Sequence, residues 1–270
     1  MPCFICKTCG TQYADSAQAP AACPICEDDR QYVGWSGQQW TTPQALAAEH
    51  AIRIGDDDGV RSYDITPGFG IPQRMALVPT RAGNLLWESL SLVTDAALAD
   101  IHAHGGATAI AISHPHFYAA MVDWSDALGG IPIWLHAADR QWVQRPARQL
   151  RFWEGPTQAL ADDARLIHCG GHFPGSCVLH VDAGGAGHLF SGDTLQVAMD
   201  RRRVSFMHSY PNAVPLPSAD VEGIRNALRA YDFNRVYGYS RGRNITGNAR
   251  RAVDASFRAF SQFEHPQDRP

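Results

Sequence analysis

The chain has 270 residues, 45% of them hydrophobic and 19% charged, enough for one large domain plus a small appended module. A net charge of −4, from 23 basic and 27 acidic residues, excludes bulk attraction to nucleic acid or to an anionic membrane. No apolar run approaches the roughly 20 residues a membrane span needs. The opening Pro2–Cys6 segment is neither basic nor long and apolar, so no signal peptide is read and a cytoplasmic, reducing location is expected. Arg201–Arg203 is a short basic run that reads as a solvated turn.

Residues 1–37 carry cysteines but few branched aliphatics, so this segment cannot build a core unaided and is expected to be a metal-stapled module. A junction is read at Gly34–Gly37, leaving residues 38–270 as the main domain. Thr41-Thr42-Pro43 signals a helix over 43–50. Met75–Pro79 and Asn84–Glu88 read as strands paired about the Arg81–Gly83 turn, and Ser91–Thr94 reads as their continuation. Asp95 is the expected cap of a helix reaching His104, stopped by Gly105-Gly106. Ala109–Ser113 and Ile131–Leu135 read as buried strands, with a helix over 121–128 between them. Ala164–His168, Cys177–Val181 and His188–Ser191 form a second strand series. Helices over 218–231 and 247–263 flank a strand at Arg235–Tyr237. Strands in the middle and helices outside give an α/β sandwich.

Seven cysteines are present. Cys6-x-x-Cys9 and Cys23-x-x-Cys26 are two knuckles that together supply a tetrahedral four-thiolate cage. Gly10 follows the first pair, where a knuckle turn calls for positive φ. Cys3 makes the same spacing with Cys6 and competes as a ligand. Zinc is expected; the pattern also resembles the rubredoxin-like ribbon of rubrerythrins, and that resemblance implies iron and electron transfer as the alternative.

The second cluster is histidine-based. Ser113-His114-Pro115-His116-Phe117-Tyr118-Ala119 follows a buried strand and can aim two imidazoles at one ion. Gly170–Ser176 carries His172, and Phe190–Thr194 carries Asp193. Histidines and a carboxylate on loops at one sheet edge suit zinc, iron or manganese. These three motifs, in this order, resemble the metallo-β-lactamase superfamily across roughly residues 65–265. The whole chain resembles a branch of it in which a ribbon precedes the domain. The resemblance implies an αββα sandwich and makes His114, His116 and His172 the ligands of a first metal site, with Asp193 as a bridging or additional ligand. The superfamily's next aspartate falls at Tyr118, its next histidine at Ala119, and its last histidine near Val236–Ser240, where none is found. A single ion, zinc, is therefore expected. His136 ends a strand and reads as a hydrogen-bonded structural residue. Asp123 and Asp126 read as solvated.

Such a site points to hydrolysis of an ester, thioester, lactone or phosphodiester of a small molecule, because zinc lowers the pKa of bound water towards about 7. Asp193 is expected to orient the water, and Tyr118 to donate a hydrogen bond to a developing oxyanion. Phe117, Trp124, Phe173, Phe206 and Tyr210 suggest an apolar pocket, though most read as core. Two alternatives differ in class: a mononuclear iron oxygenase or redox protein, and a non-catalytic binding protein with a degenerate site. The ribbon is expected either to pack on the main domain or to dock a protein partner.

Overall fold

The structure is a computed structural model that describes residues 2–264, with side chains described to residue 261. Two sheets form its centre. The first has seven strands in spatial order Ala51–Asp56, Arg61–Thr66, Met75–Thr80, Gly83–Trp87, Ala109–Ala111, Ile133–His136 and Leu150–Trp153. The first four pair antiparallel and the last three join in parallel. The second has six strands in order Thr157–Ala161, Ala164–His168, Cys177–Val181, His188–Gly192, Arg235–Gly238 and Asn244–Ile245. Its parallel pair joins His188–Gly192 to Arg235–Gly238.

Side chains alternate faces along a strand, and the chain uses that alternation on both sheets. Val78, Leu85, Trp87 and Ala111 of the first sheet meet Leu166, Leu179, Phe190 and Tyr237 of the second in a shared core. The intervening residues point outward. Leu77, Leu86 and Ile110 pack under the helices Asp95–Ala103 and Met121–Ala127, through Ile101 and Trp124. Ile167, Val178, Leu189 and Val236 pack under Ser218–Leu228 and Ala249–Glu264, through Ile224, Leu228 and Val253. The layers therefore run helix, sheet, sheet, helix, as expected. No helix among the described residues is long and apolar enough to cross a membrane.

Local corrections have physical causes. Ser91–Thr94 is not strand: Ser89 and Ser91 hydroxyls donate to the carbonyls of Phe117, Tyr118 and Gly10, diverting this segment from a ladder. The cap of the next helix is Thr94, whose Oγ1 accepts from the Ala97 N–H, and Asp95 is its first residue. The hairpin Ala51–Asp56/Arg61–Thr66 went unread because its outer strand is mostly exposed and carries Arg53 and Asp56.

The ribbon is fastened to the main domain. Its strand Ile5–Cys6 pairs with Trp40–Thr41, beyond the junction read at residue 37. The Gln12 N–H donates to the Ala119 carbonyl at 3.0 Å, and Gly10 lies so close to Gly70 that a Cβ on the latter would stand 3.0 Å from the Gly10 nitrogen.

Candidate metal centres and their cleft

In the ribbon, Cys6, Cys9, Cys23 and Cys26 are buried and their sulfurs converge. The Cys6–Cys26 sulfurs lie 3.5 Å apart and the Cys9–Cys23 sulfurs 3.7 Å apart. That is far beyond a disulfide bond and close to the edge of about 3.8 Å that a tetrahedron with 2.3 Å metal–sulfur bonds would have. Gln38 Nε2 donates to Cys6 Sγ at 3.2 Å. Gly10 has φ +83°, as the knuckle requires. Cys3 stands outside the cluster, its thiol donating to Asp15 Oδ1 at 2.7 Å. The four thiols fit a thiolate-bound ion.

The histidine cluster lies where the two sheets meet at one edge. His114 and His116 follow the strand Ala109–Ala111, with the turn Pro115–Phe117 between them and the next helix. His172 lies in the loop after Ala164–His168, and Asp193 directly follows His188–Gly192. Gly192 permits this meeting, since a Cβ there would stand 2.4 Å from Ser113 Oγ and its φ is +50°. Asp193 Oδ2 lies 3.4 Å from His114 Nε2, 3.7 Å from His172 Nε2 and 4.0 Å from His116 Nδ1. His172 Nε2 and His116 Nδ1 are 3.2 Å apart.

The outer ring nitrogens are fixed by other groups. His172 Nδ1 donates to the Met207 carbonyl at 3.0 Å, which leaves its Nε2 lone pair facing the cluster. His114 Nδ1 pairs with Ser113 Oγ at 2.7 Å. Burial lowers the pKa of His114 to about 4 and also lowers that of His172, so both rings are neutral at pH 7. Burial opposes ionisation of Asp193, but the facing histidines outweigh it and hold the carboxyl below its ordinary value. His114 Nε2 and Asp193 Oδ1 are buried without a hydrogen-bond partner. Neutral imidazoles, an ionised carboxylate and orphaned buried acceptors fit a divalent cation.

Sequence reasoning missed Glu88. This fully buried carboxylate follows the strand Gly83–Trp87 and accepts the Ser113 N–H at 3.1 Å, bracing the loop that carries His114 and His116. A charged residue ending the apolar run Leu85-Leu86-Trp87 was the available signal.

Among the described residues, no further His, Cys, Asp or Glu joins this cluster. Tyr118 is buried outside the cluster, its hydroxyl 3.5 Å from the Asp139 carbonyl. It does not line the cleft, so its expected hydrogen bond to an oxyanion finds no support in this placement. Ala119 stands with φ +34°. Asp123 is paired with Arg145 and Asp126 with Gln149, so neither is simply solvated. Phe117, Trp124 and Phe206 are core, whereas Tyr210 lines the cleft and donates to the Asp193 carbonyl at 2.8 Å. The His136 ring stacks on His168 with centroids 4.0 Å apart, and its Nδ1 accepts the Ala138 N–H at 3.3 Å.

His116 and Asp193 form the floor of a cleft of about 220 Å³. Its sides include Ile71, Pro72, Gln196, Tyr210 and Tyr239, and among the described residues no Lys or Arg lines it.

No family model matches the sequence. It is 40% identical over 242 residues to "Uncharacterized protein YmaE" of Bacillus subtilis (strain 168), covering 88% of each chain. The chain belongs to the YmaE family. Its fold is that of the metallo-β-lactamases. The solved structure of TMB-1 covers 78% of this chain and 99% of its own, with TM-score 0.57 at 14% identity. DIM-1 metallo-β-lactamase covers 78% and 100%, with TM-score 0.57 at 15% identity. A metallo-β-lactamase from Erythrobacter litoralis covers 77% and 95%, with TM-score 0.54 at 17% identity. Within the YmaE family, this chain thus joins a four-cysteine ribbon to a metallo-β-lactamase fold in which His114, His116, His172 and Asp193 converge.

Proposed function

We propose that this chain is a hydrolase that uses one divalent ion, zinc, to cleave an ester, thioester or lactone of a small molecule. The observation that supports this reading most is the convergence of His114 Nε2, His116 Nδ1, His172 Nε2 and Asp193 Oδ2 at the floor of an open cleft. These four residues would hold the ion, which when bound supplies a Lewis acid and lowers the pKa of bound water. Asp193 offers its partnerless Oδ1 to orient the attacking water. Ser113, the Met207 carbonyl and Glu88 keep the ligands aimed. The cleft wall holds tyrosines, glutamines and prolines but, among the described residues, no cation. The ion would be the sole positive charge facing a phosphodiester, with no Lys or Arg in the lining among the described residues to add to it, so an uncharged acyl substrate fits better. The ribbon's cysteines hold a second ion, zinc in this reading, with a structural role.

Metal analysis of the purified chain, with hydrolysis of an ester, thioester and lactone panel, tests the proposal. We expect two zinc ions per chain and turnover that falls more than about 100-fold in His116→Ala, beyond the 10–100-fold typical of losing an outer partner. Iron at the histidines with oxidation of a persulfide would replace this reading with a redox one. A zinc-loaded protein that hydrolyses nothing in the panel would refute catalysis and leave a binding protein.

A further inference from the structure

The ribbon does not merely sit on the domain; it forms part of the histidine site. Thr8 of the first knuckle, with Gln31 and Tyr32 after the second, lines the same cleft as His116 and Asp193. Tyr32 is half exposed at its rim. Behind this wall, Arg30 Nε donates to the His172 carbonyl at 2.7 Å, and its guanidinium lies 4.4 Å from the centre of the Phe173 ring. The ribbon also holds the segment that aims the ligands. Ser209 Oγ donates to the Arg30 carbonyl at 3.0 Å, and Asn212 Nδ2 donates to the carbonyls of Asp29 and Gln31 at 3.1 Å. That segment supplies the Met207 carbonyl to His172 and the Tyr210 hydroxyl to Asp193.

We propose that Arg30 of the ribbon is a positioning residue for His172, and that Tyr32 is a specificity-determining wall of the substrate cleft. The proposal rests on the metal-site reading above. Arg30 fixes one side of His172 through its backbone carbonyl while Met207 fixes the ring through Nδ1, so the imidazole is held from both ends. Removing the guanidinium frees the 170–176 loop and lets the ring leave its bonding direction. Tyr32 lies far from the ligands in sequence and touches only what extends outward from the ion. It therefore selects the distal part of an acyl group without altering the floor.

Cobalt(II) titration of the full chain tests both parts, because thiolate-bound and histidine-bound cobalt absorb at different wavelengths. We expect Arg30→Ala to weaken cobalt binding at the histidines about tenfold, the scale of a lost outer partner, with the thiolate bands unchanged. Arg30→Lys, which keeps a donor and the charge, recovers part of that loss. A cooperative urea unfolding transition by tryptophan fluorescence that matches wild type shows that the variant's main domain has folded. For the wall, acetohydroxamate and benzohydroxamate share a metal-binding head and differ in the aromatic tail. Tyr32→Ala should lower the preference for benzohydroxamate about fivefold, the scale of one aromatic contact, with acetohydroxamate unaffected. Wild-type affinity at the histidines in Arg30→Ala overturns the positioning role. An unchanged hydroxamate ratio overturns the wall. Cobalt absent from the histidines of the wild-type chain overturns the metal-site reading itself, a separate result.

Discussion

Asp139 is a buried carboxylate whose replacement by asparagine should stabilise the protein at alkaline pH. One carboxylate oxygen accepts the Gly175 N–H at 2.9 Å, while Oδ2 is buried with no partner. Burial raises its pKa to about 7, against an ordinary value of 3.8. Between those values the folded chain holds a proton that the unfolded chain has released, so this group's contribution to stability falls as pH rises through that window and is lost above pH 7. The window spans about three pH units, and at 1.36 kcal/mol per unit the full swing is roughly 4 kcal/mol, an upper figure because local relaxation softens it. The asparagine side chain would keep an acceptor for the Gly175 N–H and remove the charge. Denaturant unfolding followed by tryptophan fluorescence, at pH 5 and pH 8, gives the comparison. Subtracting wild type from Asp139→Asn at each pH cancels the shared titration of the histidines. Because the part of the window above pH 5 is only about two units, the variant should gain about 1.5–2.5 kcal/mol on wild type between pH 5 and pH 8. A variant that follows the wild-type pH profile in parallel would refute the reasoning.

Two further perturbations probe other parts of the molecule. Arg74 is buried and bonds Asp57, the Asn244 side chain and the Gly238 carbonyl, tying the first sheet's loops to the end of the second. Arg74→Met leaves buried Asp57 without its counter-ion, held only by the Gly242 N–H and the Asn244 amide, and should cost about 3 kcal/mol in urea unfolding; a loss below about 1 kcal/mol would show that the pair is dispensable. Cys23→Ser removes one thiolate of the ribbon cage and should lower the bound metal by one ion per chain while reducing the melting temperature. Unchanged metal content would show that the four cysteines are not the ligands.

The sandwich was legible because its strands alternate or run apolar between glycine-rich turns, and two of the helices carry threonine caps at Thr42 and Thr94. The histidine cluster was legible because one histidine pair and a Gly-Asp step stand at strand ends, where little but a site calls for such residues. Arg30, Gln31 and Tyr32 carried no such mark. Their role depends on partners 140 to 180 positions away, and nothing in Glu27–Tyr32 distinguishes a cleft wall from a polar turn. Trp124 and Phe206 were ambiguous for the opposite reason: an aromatic near a motif can face either the cleft or the core. In the structure Trp124 donates its indole N–H to the Leu90 carbonyl at 2.9 Å, and Phe206 stacks on Phe257 at 4.7 Å.

The lacing between Asp29–Gln31 and Ser209–Asn212 also orders events during synthesis. The ribbon needs only the first few dozen residues to close its cage, whereas the segment it grips leaves the ribosome some 180 residues later, many seconds afterwards at typical elongation rates. The four cysteines are therefore available to close well before residues 207–212 are translated. The hydrogen bonds at Ser209 and Asn212 can form only after His114, His116, His172 and Asp193 have been made, so they are the last of these contacts to close around the cleft.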